Sequence, residues 1–176
     1  MIKITLPDGT QKEFENGSTP MDVAKSISEG LARNVISAKF NDITVETVTP
    51  LNEDGSLVLF TWNDTAGKKA FWHSSSHIVA QALEELYPGI KLTIGPAIEN
   101  GFYYDFARDK PFSDTDFGKI EKEMRKIIER NSAFEREVWK RDEAIKYFKD
   151  KGIDVDVEFS WGATEGKVVA RCVCDW

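Results

Sequence analysis

The chain has 176 residues, room for one ordinary domain or two small ones, and its 41% hydrophobic and 11% aromatic content excludes a disordered chain. With 23 Lys and Arg against 30 Asp and Glu, the net charge of −7 excludes an indiscriminate polyanion binder but leaves room for a local basic patch. No window approaches the roughly 18 apolar residues of a membrane span, and Met1 to Gly9 lacks an apolar leader. Two cysteines, Cys172 and Cys174, make no disulfide framework, so a cytoplasmic protein is expected.

Residues 2–6 alternate apolar and polar, meet the turn Pro7-Asp8-Gly9 and continue in a short run to Phe14, which predicts a hairpin. Ser18 or Thr19 can cap a helix with Pro20 in its first turn, and Met21, Val23, Ala24 and Ile27 recur at helical spacing, with Gly30 as the expected stop. Strands follow at 35–40, 44–48 and 57–60, with Asn41-Asp42 as a turn, so the first sixty residues read β-β-α-β-β-β. The polar stretch 62–69 predicts a boundary, giving domains at 1–62 and 63–176. A helix is expected from about Lys69 to Leu86, with Phe71, Ile78, Val79, Ala82, Leu83 and Leu86 on its apolar face. Strands are expected at 91–98 and 102–106, hinged at Asn100-Gly101, and a long helix at 114–131. Along that helix Lys119, Lys122, Lys126 and Arg130 form a basic ridge interleaved with Glu121, Glu123 and Glu129. A strand at 135–140, a helix at 142–149 and a hairpin of 155–159 with 167–173 complete the reading.

The only histidines, His73 and His77, are four residues apart, a spacing that random placement gives about 1% of the time and that puts both on one helix face. Neutral imidazoles so placed can bind zinc, although no Glu follows the first as in H-E-x-x-H proteases, and a tight site wants more ligands. Three readings stay open: a metal completed elsewhere, metal-free acid-base chemistry, and two ordinary polar-face histidines. Cys172 and Cys174 could supply thiolates, yet strand alternation equally puts both on a core face. The run from Ile94 to Phe106, rich in glycine and aromatics, is first a hairpin, and its tyrosines and Asp105 could also line a polar pocket facing the histidine helix.

Phe71-Trp72-His73-Ser74-Ser75-Ser76-His77, then Tyr87-Pro88-Gly89, then Ile94-Gly95-Pro96-Ala97-Ile98-Glu99-Asn100-Gly101-Phe102-Tyr103-Tyr104-Asp105 together resemble the amino-terminal part of bacterial threonyl-tRNA synthetases. The resemblance covers roughly residues 1–152. It implies an α+β chain: a ubiquitin-like β-grasp (TGS) domain followed by an α/β two-layer editing domain of the threonyl/alanyl-tRNA synthetase type. Its implied activity is hydrolysis of seryl-tRNA(Thr), with His73 and His77 catalytic, Tyr104, Asp105 and Asn100 lining the substrate pocket, and the ridge Lys119, Lys122, Lys126 and Arg130 contacting tRNA. It implies no cofactor for editing, with zinc at His73 and His77 left open, and ATP and zinc only in a ligase domain for which no length remains. The family completes its site with a Cys-x-x-x-His, whereas Cys172 and Cys174 here are followed by Asp175-Trp176, so an amino-terminal fragment is expected, monomeric by itself, from a homodimeric enzyme. The rivals are a free-standing trans-editing hydrolase and a noncatalytic RNA- or partner-binding module.

Overall fold

The computed structural model describes residues 1–132, 138–150 and 167–169. Its contacts group into two compact units, Met1–Ile127 and Ile128–Trp176.

The first unit opens with β1 (Ile2–Thr5) and β2 (Gln11–Phe14), an antiparallel hairpin in which Ile2 lies opposite Phe14. Helix α1 (Pro20–Ile27) is started by a full capping box: Asp22 donates its backbone N–H to the Thr19 hydroxyl at 3.2 Å, and the Thr19 N–H donates to the Asp22 carboxylate at 2.9 Å. The Thr19 N–H and hydroxyl, both donating to that carboxylate, draw it below its ordinary pKa. The expected stop at Gly30 is corrected. The chain breaks at Ser28, whose hydroxyl caps a second helix, α2 (Glu29–Asn34), with Gly30 inside it. A serine oxygen that can accept from the Leu31 N–H outweighs the glycine as the local signal. Strands β3 (Val35–Phe40), β4 (Ile43–Val45) and β5 (Gly55–Thr61) follow, and Asn41 and Asp42 form the β3–β4 turn with φ of 45° and 67°.

These strands make one sheet in the order β2-β1-β5-β3-β4, with β1 parallel to β5 and the other pairs antiparallel. Ile2, Ile4, Val23, Ala38, Phe40, Leu51 and Leu57 form its core against α1, and the alternation of residues 2–6 is the reason Ile2 and Ile4 both face inward.

Helix α3 (Thr65–Leu86) starts almost directly from β5. The Asp64 carboxylate accepts from the Thr61 N–H at 2.7 Å and the Thr61 hydroxyl at 3.0 Å, which folds the junction into a tight turn. A Cβ on Gly67 would lie 2.0 Å from the Thr61 carbonyl oxygen, so this helical glycine permits the close approach. The helix packs on β3 and β5. The division expected at 62/63 therefore falls inside the first unit, at a junction held by hydrogen bonds. The buried face of α3 also departs from expectation: Leu83 and Ala82 are buried, but Ser76, Ala80 and Gln81 join them, and Phe71 is exposed.

Two nested ribbons come next. Strand β6 (Lys91–Leu92) pairs with β9 (Phe106–Ala107), and within that loop β7 (Ala97–Ile98) pairs with β8 (Gly101–Phe102). The two longer strands read from sequence are broken here because Gly95 and Pro96 interrupt the ladder. Helix α4 (Asp114–Arg130) carries the basic ridge, and the first unit ends within it, at Ile127.

In the second unit, β10 (Val138–Lys140) leads into α5 (Arg141–Asp150), and β11 (Lys167–Val169) pairs antiparallel with β10. Trp139 stacks edge-on against Tyr147 at 5.0 Å, while Ala144 is buried. The start of the expected strand at 135, the hairpin strand at 155–159, and both cysteines lie outside the described residues.

Leu57 is 1% exposed at the centre of the sheet core. Leu57→Ala should lower unfolding free energy by about 2–5 kcal/mol, seen as an earlier midpoint in urea with an unchanged slope; a loss under about 1 kcal/mol would contradict this placement.

Candidate active site

His73 and His77 project from one face of α3, and their Nε2 atoms are 3.2 Å apart with ring centroids at 4.7 Å. At that distance one ring can donate and the other accept, so the pair is arranged to share a proton. Loss of hydration, followed by repulsion from His73, pushes the His77 pKa below its ordinary 6.5. Two of the three intervening serines are satisfied within the helix itself. Ser75 and Ser76 donate back to the carbonyls of Phe71 at 2.8 Å and His73 at 2.7 Å.

Ser76 is buried, and Gly95 is why. A Cβ on Gly95 would come within 2.3 Å of the Tyr104 ring and 2.8 Å of Ser76 Cβ, so the bare backbone at 95 separates helix from tyrosine by the least possible thickness. Tyr104 Oη donates to the Thr93 carbonyl at 3.3 Å, and Thr93 in turn donates its N–H and hydroxyl to the Asp105 carbonyl at 3.1 and 2.7 Å. The ring beside the histidine helix is thus tethered at both ends of the outer ribbon. Burial, then the Glu84 carboxylate, raises the Tyr104 pKa, and burial raises that of Glu84. Trp72, next to His73 along the helix, meets Phe102 of β8 at 6.3 Å and Trp62 at 5.4 Å.

The structure thus brings Tyr104 to the histidine helix. Asp105 is held there by its backbone carbonyl, with its side chain exposed, and Asn100 is exposed at the β7–β8 turn. Lys119, Lys122, Lys126 and Arg130 are on α4, where Lys119 pairs with Asp116 at 3.6 Å and Lys126 with Glu123 at 2.7 Å. Sequence reading missed Ser76, Thr93, Gly95 and Glu84. The available signal for Glu84 was its place seven residues after His77, two turns along the same face. Nothing in spacing announces that Gly95 meets Ser76.

Two nitrogens on a tetrahedral zinc are about 3.3–3.4 Å apart, given bonds of about 2.0–2.1 Å, so the imidazole pair fits two corners of such a site. Among the described residues, no group of three His, Cys, Asp or Glu side chains could complete it.

Residues 2–61, the stretch that folds as the β2-β1-β5-β3-β4 sheet with α1, match the TGS domain family. The chain contains a TGS domain. Beyond it, the chain is similar to the amino-terminal part of threonine–tRNA ligases. It is 63% identical to that of Flavobacterium psychrophilum over 151 residues, covering 85% of this chain and 23% of the relative. It is 49% identical to that of Caldanaerobacter subterraneus over 167 residues, 95% and 26%, and 46% identical to that of Acetivibrio thermocellus over 170 residues, 97% and 27%. The chain thus spans about a quarter of the length of the curated relatives it matches. The alignment with the Flavobacterium psychrophilum relative spans 151 residues, as the expected limit near residue 152 implies, while those of 167 and 170 residues with the other two reach further into the tail. Among the described residues, no helix is long and apolar enough to cross a membrane.

An NMR titration should find the His77 imidazole pKa below 6.5, and His73→Ala should raise it partway while leaving it depressed, because burial is the larger cause. A His77 value at or above 6.5 in the wild type would contradict this geometry.

Proposed function

We propose that residues 63–176 following the TGS domain form an editing module, which hydrolyses serine wrongly esterified to the threonine tRNA. The observation that carries this is the imidazole pair at 3.2 Å, with His77 biased to the neutral form, beside a tethered tyrosine. The names of the relatives supply the reason such chemistry is wanted. A ligase choosing threonine over serine must distinguish one methyl group, which a binding pocket can reward by only about 1–3 kcal/mol.

In the proposed reaction, water attacks the ester carbonyl carbon and gives a proton to His73 Nε2. Neutral His77 accepts a hydrogen bond from that new N–H across the 3.2 Å gap and so stabilises the imidazolium. The C–O bond to the ribose breaks, the proton passes to the departing ribose oxygen, and serine and free tRNA leave. Tyr104, Asn100 and Asp105 would shape the pocket that admits serine and excludes the extra methyl, and Lys119, Lys122, Lys126 and Arg130 would face the RNA. Zinc at His73 and His77 remains an alternative use of the same two nitrogens, and ATP-dependent ligation, with its own zinc, would belong to the remaining length of a ligase.

With seryl-tRNA and threonyl-tRNA as substrates, the protein should release serine much faster than threonine, and His73→Ala should slow serine release by about 100-fold or more. Serine release at the wild-type rate in His73→Ala would overturn the assignment.

A further inference from the structure

At the far end of α3 the chain forms an open recess of about 620 Å³ lined by residues 86–91 and 107–110. It is remote from the histidines in sequence and carries three cations, Lys91, Arg108 and Lys110, against one acid, Asp109. Arg108 is held in an unusual way. Its guanidinium carbon lies 4.1 Å from the Tyr87 ring centroid and 4.6 Å from that of Phe112, and those rings meet edge-on at 5.3 Å. Asp116 fixes Tyr87 by accepting from its hydroxyl at 3.1 Å, and Ser113 bonds hold the Asp116 carboxyl at a pKa of about 2. Among the described residues Arg108 has no carboxylate within ion-pair distance, and its Nη1 is buried without a hydrogen-bond partner.

A planar cation clamped on aromatic rings and hydrogen-bonded to Tyr87, with its Nη1 donor unused, is preorganised for a phosphate, because the entropy of fixing the side chain is already spent by the stack. Against the three cations stand Asp109, the ionised Asp116 bound to Tyr87 and about half a negative charge at the carboxyl end of α3, so the recess keeps a small positive excess. We propose that this recess, centred on Arg108 with Lys91 and Lys110 at its rim, binds a backbone phosphate of the RNA whose 3′ ester reaches the histidines, an inference that rests on the editing reading for its choice of RNA. From His77 to Leu86 the helix rises by roughly 14 Å at about 1.5 Å per residue, the span of about four nucleotides at roughly 3.4 Å each.

The test is fluorescence anisotropy of the 176-residue chain with a labelled acceptor-stem RNA hairpin bearing a single-stranded 3′ end, over a series of NaCl concentrations. Arg108→Gln and Lys110→Gln should each weaken binding, Arg108→Gln by about tenfold, and each should lower the slope of log affinity against log salt by about one. Lys110 is exposed, so Lys110→Gln keeps the test valid if Arg108→Gln fails to fold by circular dichroism. Unchanged affinity and slope in the folded variants, or no binding by the wild type, would overturn the proposal. So would inorganic phosphate binding that depends on Arg108 while the RNA affinity does not, which would mark a small-anion site. The hairpin carries no amino-acyl ester, so a failure of the editing chemistry reads out in the hydrolysis assay alone.

Discussion

Gly95 has no side chain at the point where a Cβ would stand 2.3 Å from the Tyr104 ring and 2.8 Å from Ser76, and the histidine site depends on that empty volume. Any larger residue forces the tyrosine away from the helix or the ribbon away from Ser76. Because interiors are packed near crystal density, such a push is not absorbed locally. The constraint is reciprocal: Ser76 must be small, buried and satisfied within its own helix, which its bond to the His73 carbonyl achieves. The same serine therefore spaces the helix from the ribbon and anchors the backbone that carries His73.

A second glycine does comparable work where α3 begins. Gly67 rests on the Thr61 carbonyl, so the last residue of β5 and the first turns of α3 are in backbone contact. The TGS sheet thus supports the root of the histidine helix inside one compact unit. Electrostatics acts on His77 as well: loss of hydration first and repulsion from His73 second favour its neutral form.

Much of this was legible in sequence wherever a local rule applied. The alternation of residues 2–6, the Thr19 cap and the left-handed turn at Asn41-Asp42 each have a short-range cause, so the TGS strands followed from pattern. The i,i+4 spacing likewise placed both histidines on one face. Local rules failed where two signals competed or where contact was distant. At Ser28 and Gly30 a cap displaced a stop, and at residues 91–107 a Gly-Pro pair split two expected strands into nested ribbons. The buried status of Ser76 and Gln81 depends on partners that helical periodicity does not reveal. Phe71, expected inside, is instead at the surface among Trp62 and Trp72.

The central claim is that the imidazole pair of α3 receives a seryl ester, and the direct measurement is binding without turnover. The protein labelled with 15N-histidine would be titrated with a 3′-seryl amide of adenosine, in which an amide replaces the scissile ester. The account expects saturable shifts of both His73 and His77 ring nitrogens, with the threonyl amide shifting them more weakly. Ring-nitrogen signals that stay unmoved through saturating seryl amide would contradict it.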